Sequence, residues 1–421
     1  MREDWEIKNL EELTERINGL WKGKKGPYIN VQVYSMSNFT KDSELNHSSE
    51  PRSIIARKSQ YEKRKLKYGD ILVEKSGGGP NQPVGRAIFF DINNDQENTF
   101  SNFTTRLRIK EKVKNDVSSK YVHKFLKMLY LNGETEKFQK NSTNIRNLQL
   151  KEYLQVEIPI PPLPEQKRIV EILDEAFEAI DQARANVERN IQNAEELFQS
   201  KLNDIFSQRG DGWEEKKLSD VYSFKNGLNF TKHEKNEVDG EGILTIDVYN
   251  MYRGGLTVDL SELYRVNKEV KESYLLKKGD ILFVRSSLKK EGVAWATYFT
   301  EYEEDVSYCG FIIRGRPRED LNPEYSVYYC RSPRVRNELI DRSVQSTITN
   351  INQKLLSDVD IPIPDKFRQA EIVEELKVFE SQKDLFISSY EQKICALNEL
   401  KKSILQKAFS GELTAGEQVA A

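Results

Sequence analysis

Apolar residues recur on an alternating four-three step through the middle of the chain: Leu173, Phe177, Ile180, Val187, Ile191, Ala194, Phe198 and Ile205, with Arg184 and Lys201 interrupting. That spacing is the seam of a helix that needs a partner helix. A second stripe follows at Leu376, Ile387, Tyr390, Ile394, Leu397 and Ile404, widened by Phe379, Phe386 and Leu400. Each helix takes about 40 residues and so spans roughly 60 Å. The natural partner of each is the other, packed antiparallel. Ahead of each stripe the pattern changes to short β-branched or aromatic runs bounded by turn residues, at 87–92 and 105–110 and again at 243–248 and 310–315. These predict strands. Ile71-Leu72-Val73 and Ile281-Leu282-Phe283-Val284 read as buried strands that end in basic loops.

The two stripes belong to an internal repeat. "IPIPPLPEQKRIVEIL" at 158–173 and "IPIPDKFRQAEIVEEL" at 361–376 align at an offset of 203, which also pairs Asn147 with Asn350, Gln166 with Gln369 and Phe206 with Phe409. Upstream the register loosens: Trp5 matches Trp213 at offset 208, and Gly69 matches Gly279 at offset 210. Each half therefore has a variable globular part and a helical part of constant length. The prolines predict a stiff exit from each globule, since they cannot sit inside the helix that follows. Globule, helix, globule and helix in that order predict a pseudo-two-fold dumbbell holding two like domains at a set distance. The expected segments are 1–157, 158–207 (hinge and helix), 208–360 and 361–421 (hinge and helix).

Length and composition fit that picture. A chain of 421 residues exceeds one compact core, and 31% charged against 38% hydrophobic residues suits long solvated helices. No apolar run approaches the ~18–20 residues of a membrane span. The N-terminal stretch lacks an apolar signal core, so a cytoplasmic protein without membrane attachment is expected. Cys309, Cys330 and Cys395 have no metal-ligand spacing. Net charge is −3, but its distribution is uneven. Arg52 to Lys67 holds seven basic residues against Glu62 alone, and Arg106 to Lys127 holds eight against Glu111 and Asp116. Basic globules joined by acidic helices are compatible with nucleic-acid binding.

The sequence carries no recognisable catalytic motif. The "KSGGGPNQ" stretch at 75–82 lacks the Gly-Lys-Ser/Thr of a phosphate loop. His47, His123 and His233 are isolated from one another. No dinucleotide fingerprint follows a strand, and no amino-methyltransferase signature is present. A binding protein that performs no chemistry itself is the expectation, with no metal and no cofactor of its own.

With "GWEEKKLSDV", "GDILFVRSS", "VEIPIPPLPEQKRIVEIL" and "LNELKKSILQKAFSGEL" in these positions, the chain resembles the specificity subunit of type I restriction-modification enzymes over essentially its whole length. The second proline phrase departs by lacking Pro-Leu-Pro-Glu, while Gln369 and the helix register stay. The resemblance implies an α+β protein with two α/β target-recognition domains separated by two long antiparallel coiled-coil helices. It implies that each domain reads one half of a split double-stranded DNA target and that the helices act as a ruler. It further implies two modification subunits that bind S-adenosylmethionine and methylate adenine, and restriction subunits that use ATP and Mg.

Candidate DNA contacts in the first half are Lys75, Ser76, Asn81, Gln82 and Arg86, because glycines admit a close backbone while amide and guanidinium groups pair with base edges. Arg57, Lys58, Lys63, Arg64 and Lys65 are candidates for phosphates. In the second half the candidates are Arg285, Ser286, Ser287, Lys289 and Lys290, with Tyr249, Asn250 and Arg253 as a further loop. Pro161, Pro162, Leu163, Pro164, Glu165, Gln166 and Gln369 are candidates for docking the modification subunits. Ordinary surface turns and solvated lysines are the plain alternative for these loops, and a coiled-coil adaptor presenting two protein-binding domains is the alternative function.

Overall fold

A computed structural model describes residues 2, 4–20, 26–79, 82–142, 145–208, 210, 212–237, 239–343 and 348–415. It contains two compact units, one of residues 1–187 with 392–421 and one of residues 188–391. The first long helix is Leu163–Ser207 and the second is Lys366–Ser410, so each contributes one end to each unit.

The first unit is centred on an antiparallel sheet in the order Thr14–Asn18, Thr104–Ile109, Ile71–Glu74, Ala87–Phe89. The run 71–73 is continuously apolar because both faces of its strand are covered. Ile71 and Val73 enter the core beneath the helix Ser119–Leu131, and Leu72 packs on the other side with Tyr34, Phe90 and Phe100. That second layer is carried by Arg52–Arg57, Tyr28–Tyr34 and Asn98–Phe100, the last two parallel. The second unit repeats the plan. Its central sheet runs Tyr222–Asn226, Ile312–Pro317, Ile281–Val284, Ala296–Tyr298, with Ile281 and Phe283 on one face and Leu282 and Val284 on the other. The helix Pro323–Arg331 takes the place of Ser119–Leu131.

Each proline phrase opens as a strand, Glu157–Ile160 or Asp360–Ile363, and passes within two residues into its long helix. Glu157–Ile160 pairs antiparallel with Glu6–Asn9, placing Pro159 opposite Ile7. Asp360–Ile363 pairs with Glu214–Lys217, placing Pro362 opposite Glu215. A two-stranded ribbon has an open edge on each strand, where a residue without an N–H removes no ladder bond. The proline carbonyls are used as well: Tyr121 Oη donates to Pro159 at 2.8 Å and Tyr325 Oη donates to Pro362 at 2.6 Å. Pro164 lies inside the first helical turn, where its missing N–H would have had no intrahelical partner.

Within each unit the two long helices run antiparallel. In the first, Glu165 meets Thr414 at 2.7 Å and Asp181 meets Lys401 at 2.5 Å. In the second, Glu195 meets Lys383 at 3.8 Å and Lys201 meets Glu375 at 2.6 Å, with Phe198 stacked on Phe379. Leu173, Phe177, Ile180, Phe198 and Leu376 are buried, whereas Val187, Ile191, Tyr390, Ile394 and Leu397 are half-buried. Two helices alone cover only one side of a seam. Burial is complete where the sheet and the short helix cover the other side, as at Phe409 on Tyr121 and Phe125, and at Phe206 on Tyr325 and Tyr329.

One core group differs between the units in a way that pH exposes. His123 is buried, with Nε2 at 3.2 Å from the Ser43 carbonyl and 3.1 Å from that of Ala87. Burial pushes its imidazole down to about 4, against the pull of Glu44. The matching position, two residues after Tyr325, is Val327. The native state thus declines a proton that the unfolded chain takes up below about pH 6.5. Stability of the first unit should fall as pH drops from about 6.5 to about 4, by roughly 3 kcal/mol in all. Amide exchange in Ser119–Leu131, corrected for intrinsic rates, should show this loss of protection, and His123→Val should remove it.

Candidate nucleic-acid interface

The strands Ile71–Glu74 and Ile281–Val284 each end in a short segment fixed by the same bonds. Lys75 N donates to the Phe103 carbonyl at 2.9 Å, and Leu148 N donates to the Lys75 carbonyl at 2.8 Å. In the second unit Arg285 N donates to Phe311 at 2.8 Å, and Ile351 N donates to Arg285 at 3.0 Å. The next residue is a serine in both: Ser76 Oγ donates to Asn147 Oδ1, and Ser286 Oγ donates to Asn350 Oδ1, each at 2.5 Å. The asparagines sit opposite their serines in small antiparallel ladders. Their match was visible in the repeat, but their bond to the serines was not, because it joins residues 71 and 64 positions apart.

Around the first segment, Asn18 links two of the predicted regions. Its carbonyl accepts from Arg64 Nε at 2.8 Å, and its Oδ1 accepts from Lys75 Nζ at 3.3 Å. The helix Lys58–Arg64 therefore lies beside the 75–78 segment. Partial burial, followed by the like charge of Arg16, holds the Lys75 ammonium below its ordinary pKa. Lys58, Lys63, Lys65 and Gln82 are exposed, and Arg57, Lys75 and Ser76 are half-exposed. Lys65 lies 3.6 Å from Glu97. Asn81 lies outside the described residues. In the second unit the helix Val248–Arg253 lies beside the matching loop, with Tyr252 Oη donating to the Gly292 carbonyl at 2.9 Å. Tyr249, Lys289 and Lys290 are exposed, and Arg285, Ser286 and Ser287 are half-exposed.

Three predicted contacts turn out to be structural. Arg86 is 5% exposed and makes a two-pronged pair with Glu74, Nε to Oε2 at 2.8 Å and Nη2 to Oε1 at 3.1 Å. Burial alone would push its pKa down, yet Glu74 holds it above the ordinary value. Asn250 is buried; its Oδ1 accepts from Asp247 N while its Nδ2 donates to the Asp259 and Glu262 carbonyls. Arg64 spends its guanidinium on the Asn18, Gly19 and Gln60 carbonyls. Arg253 remains on the surface but pairs with Asp259 and Glu262.

The docking candidates divide in the same way. Gln166 and Gln369 are buried clamps. Gln166 Oε1 accepts from Ser118 N at 2.9 Å, the residue that caps Ser119–Leu131, while its Nε2 donates to the Asp116 and Pro161 carbonyls. Gln369 Oε1 accepts from Asn322 N at 3.0 Å, the cap of Pro323–Arg331, and its Nε2 donates to Pro364. Pro161 is buried too, and Glu165 is tied to Arg2 and Thr414. Pro162 and Pro164 are exposed and Leu163 is half-exposed.

Sequence reading also passed over the aspartates of the two Gly-Asp turns. Asp70 accepts from Lys67 N and receives Arg108 at 2.6 and 2.7 Å; Asp280 accepts from Lys277 N and receives Arg316 at 2.9 and 2.7 Å. Gly69 and Gly279 precede them at φ +91° and +85°, which only glycine adopts without strain. Among the described residues no His, Cys, Asp or Glu group could hold a metal ion, and no helix is long and apolar enough to cross a membrane.

Two like units, each presenting a polar loop at the end of a central strand and sharing a pair of long helices, define a class of two-site recognition protein. The chain belongs to the type I restriction modification DNA specificity domain family, whose model matches residues 2–189 and again 210–394. It is similar to the type I restriction enzyme EcoKI specificity subunit of Escherichia coli (strain K12), 27% identical over 373 residues that cover 84% of this chain and 77% of the relative. The StySPI specificity subunit of Salmonella potsdam is 25% identical over the same shares. Among solved structures, one from work on complex assembly and conformational transition of the type I R-M system matches with TM-score 0.73 at 18% identity, covering 97% of this chain and 98% of its own. The HsdS subunit from Thermoanaerobacter tengcongensis matches with TM-score 0.53 at 18% identity, over 98% of both chains. The fold is theirs. Membership makes the chain a DNA specificity component of type I restriction-modification, a role without catalysis of its own.

Proposed function

We propose that this chain reads a bipartite double-stranded DNA target, one half-site per unit, and that its paired long helices fix the distance between the half-sites. The observation that carries this reading is the strand-end segment built twice: Lys75-Ser76 held by Asn147, and Arg285-Ser286 held by Asn350. The scaffold is held constant while the residues that follow differ, Gly77-Gly78 in one unit and Ser287-Leu288 in the other. That is what two readers of different half-sites require. Lys58, Lys63, Lys65 and Lys75 would position the first reader on phosphates, and Arg285, Lys289 and Lys290 the second. The chain would work in the cytoplasm with two modification subunits, which carry S-adenosylmethionine and methylate adenine, and with restriction subunits that use ATP and Mg. Pro162, Leu163 and Pro164 at the head of the first long helix are the remaining docking candidates.

A gel-shift titration of the full chain with its modification subunit tests the reading. Affinity for a cognate duplex should fall steeply with salt, by about 0.9 in log K per log unit of salt for each phosphate neutralised. An adaptor that presents two protein-binding domains would show no salt-sensitive DNA affinity.

A further inference from the structure

Each polar segment is flanked by the same two exposed apolar residues. In the first unit these are Phe103, 47% exposed, and Ile145, 47% exposed; in the second they are Phe311, 60%, and Ile348, 39%. Phe103 and Phe311 are the residues whose carbonyls receive the Lys75 and Arg285 amides. Ile145 and Ile348 stand two residues before the asparagines that hold the serines, and their carbonyls accept from Asn147 Nδ2 at 3.5 Å and Asn350 Nδ2 at 2.9 Å. A phenylalanine and an isoleucine are thus bonded through their backbones to the same polar loop, at both sites. In the second unit Phe311, Ile348 and Leu288 line one groove with Ser286, Ser287 and Lys289.

Exposed aromatic and β-branched side chains are disfavoured in water, and a pair repeated at matching places indicates a contact made by both units. The surroundings indicate its partner. Lys75 feels the like charge of Arg16 from the strand Thr14–Asn18 beside the first loop, and Arg285 and Lys289 belong to the second loop. An apolar protein surface would leave these cations facing it without compensation, whereas a nucleic-acid groove offers apolar thymine methyls among its base edges, between rows of phosphates. We propose that Phe103 with Ile145, and Phe311 with Ile348, are apolar base contacts, one pair for each half-site, pressing on thymine methyls or on an opened base step. The cations would hold the backbone while these side chains sense which bases lie beneath. This rests on the DNA-reading function proposed above.

The test uses the full chain with its modification subunit and duplexes that carry the selected target. Phe103→Ala should weaken binding by about tenfold while leaving the slope of log K against log salt unchanged, because no phosphate contact is lost. Lys75→Ala should lower that slope by about 0.9. Selection from randomised duplexes should show Phe103→Ala relaxing one half-site and Phe311→Ala the other. Both phenylalanines are exposed, so melting temperatures should hold; Phe103→Leu, which should recover part of the affinity, provides a second variant if the alanine form is unstable. Unchanged affinity and selectivity in the alanine variants, with the wild-type chain binding and Lys75→Ala impaired, would overturn the inference and leave the DNA-reading function standing. Loss of the modification subunit on gel filtration would overturn it in favour of a protein contact. Failure of the wild-type complex to bind any duplex would remove the function on which it rests.

Discussion

Arg86→Ala should destabilise the first unit by roughly 3–5 kcal/mol, because it leaves a buried carboxylate without its cation. Glu74 is 1% exposed and its two oxygens are both engaged by Arg86. For a unit of this size such a loss lowers the melting temperature by roughly 10 °C. The chain itself contains an apolar solution to the same site. Val73 faces Ala87 in one sheet and Phe283 faces Ala296 in the other, so Glu74 and Arg86 correspond to Val284 and Trp295. There the indole is covered by the Arg331 guanidinium at 4.0 Å. Replacing both members at once, Glu74→Val with Arg86→Trp, should therefore cost much less than the single change, since no unpaired charge remains. Amide exchange in Ile71–Glu74 and Ala87–Phe89 reads the first unit separately from the second. An Arg86→Ala chain that keeps full stability but loses half-site recognition would restore Arg86 as a base reader.

That misreading shows what the sequence could and could not convey. Arg86 follows a glycine-rich stretch, and chain proximity to the 75–82 loop suggested a shared surface. A strand reverses its side chains at each residue, and the cross-strand neighbour twelve positions earlier turned Arg86 inward. Asn250 misled in the same way: its amide closes backbone groups nine and twelve residues on, a pattern with no local signature. The helices were legible because their period is long and carried by the chain itself. The apolar runs at 71–73 and 281–284 were legible as strands for their β-branched and aromatic content. Proline usually ends regular structure, which points to a hinge at each phrase, yet a ribbon edge tolerates it and Pro159 and Pro362 sit within strands. Gln166 and Gln369 matched at the repeat offset, but only the short helices they cap show why both are glutamines. The offset of 203 also pairs Ile145 with Ile348, whereas Phe103 and Phe311 stand 208 apart in the loosened upstream register and are matched by their bonds to Lys75 and Arg285; exposure is what sets both pairs apart from core matches.

The largest change of function should come from the long helices rather than from any loop. The two units meet in sequence at Val187–Glu188 on the first helix and Glu391–Gln392 on the second. Near this point the seam is only half-buried, with Asn190 Nδ2 at 3.5 Å from Tyr390 Oη. Inserting seven residues at both junctions keeps the seam in phase and adds about 10 Å of helix. If the helices set the spacing of the two readers, the unspecified spacer should lengthen by roughly three base pairs, at about 3.4 Å each. Neither loop is touched, so both half-sites should stay as they were. The most direct measurement is a map of methylated adenines across the genome of a host that expresses this chain with its modification subunit, in wild-type and inserted forms. The wild type should give one bipartite motif with a fixed spacer, and the inserted chain the same two halves set about three base pairs further apart. A continuous motif, or an unaltered spacer in the inserted chain, would contradict a two-reader ruler.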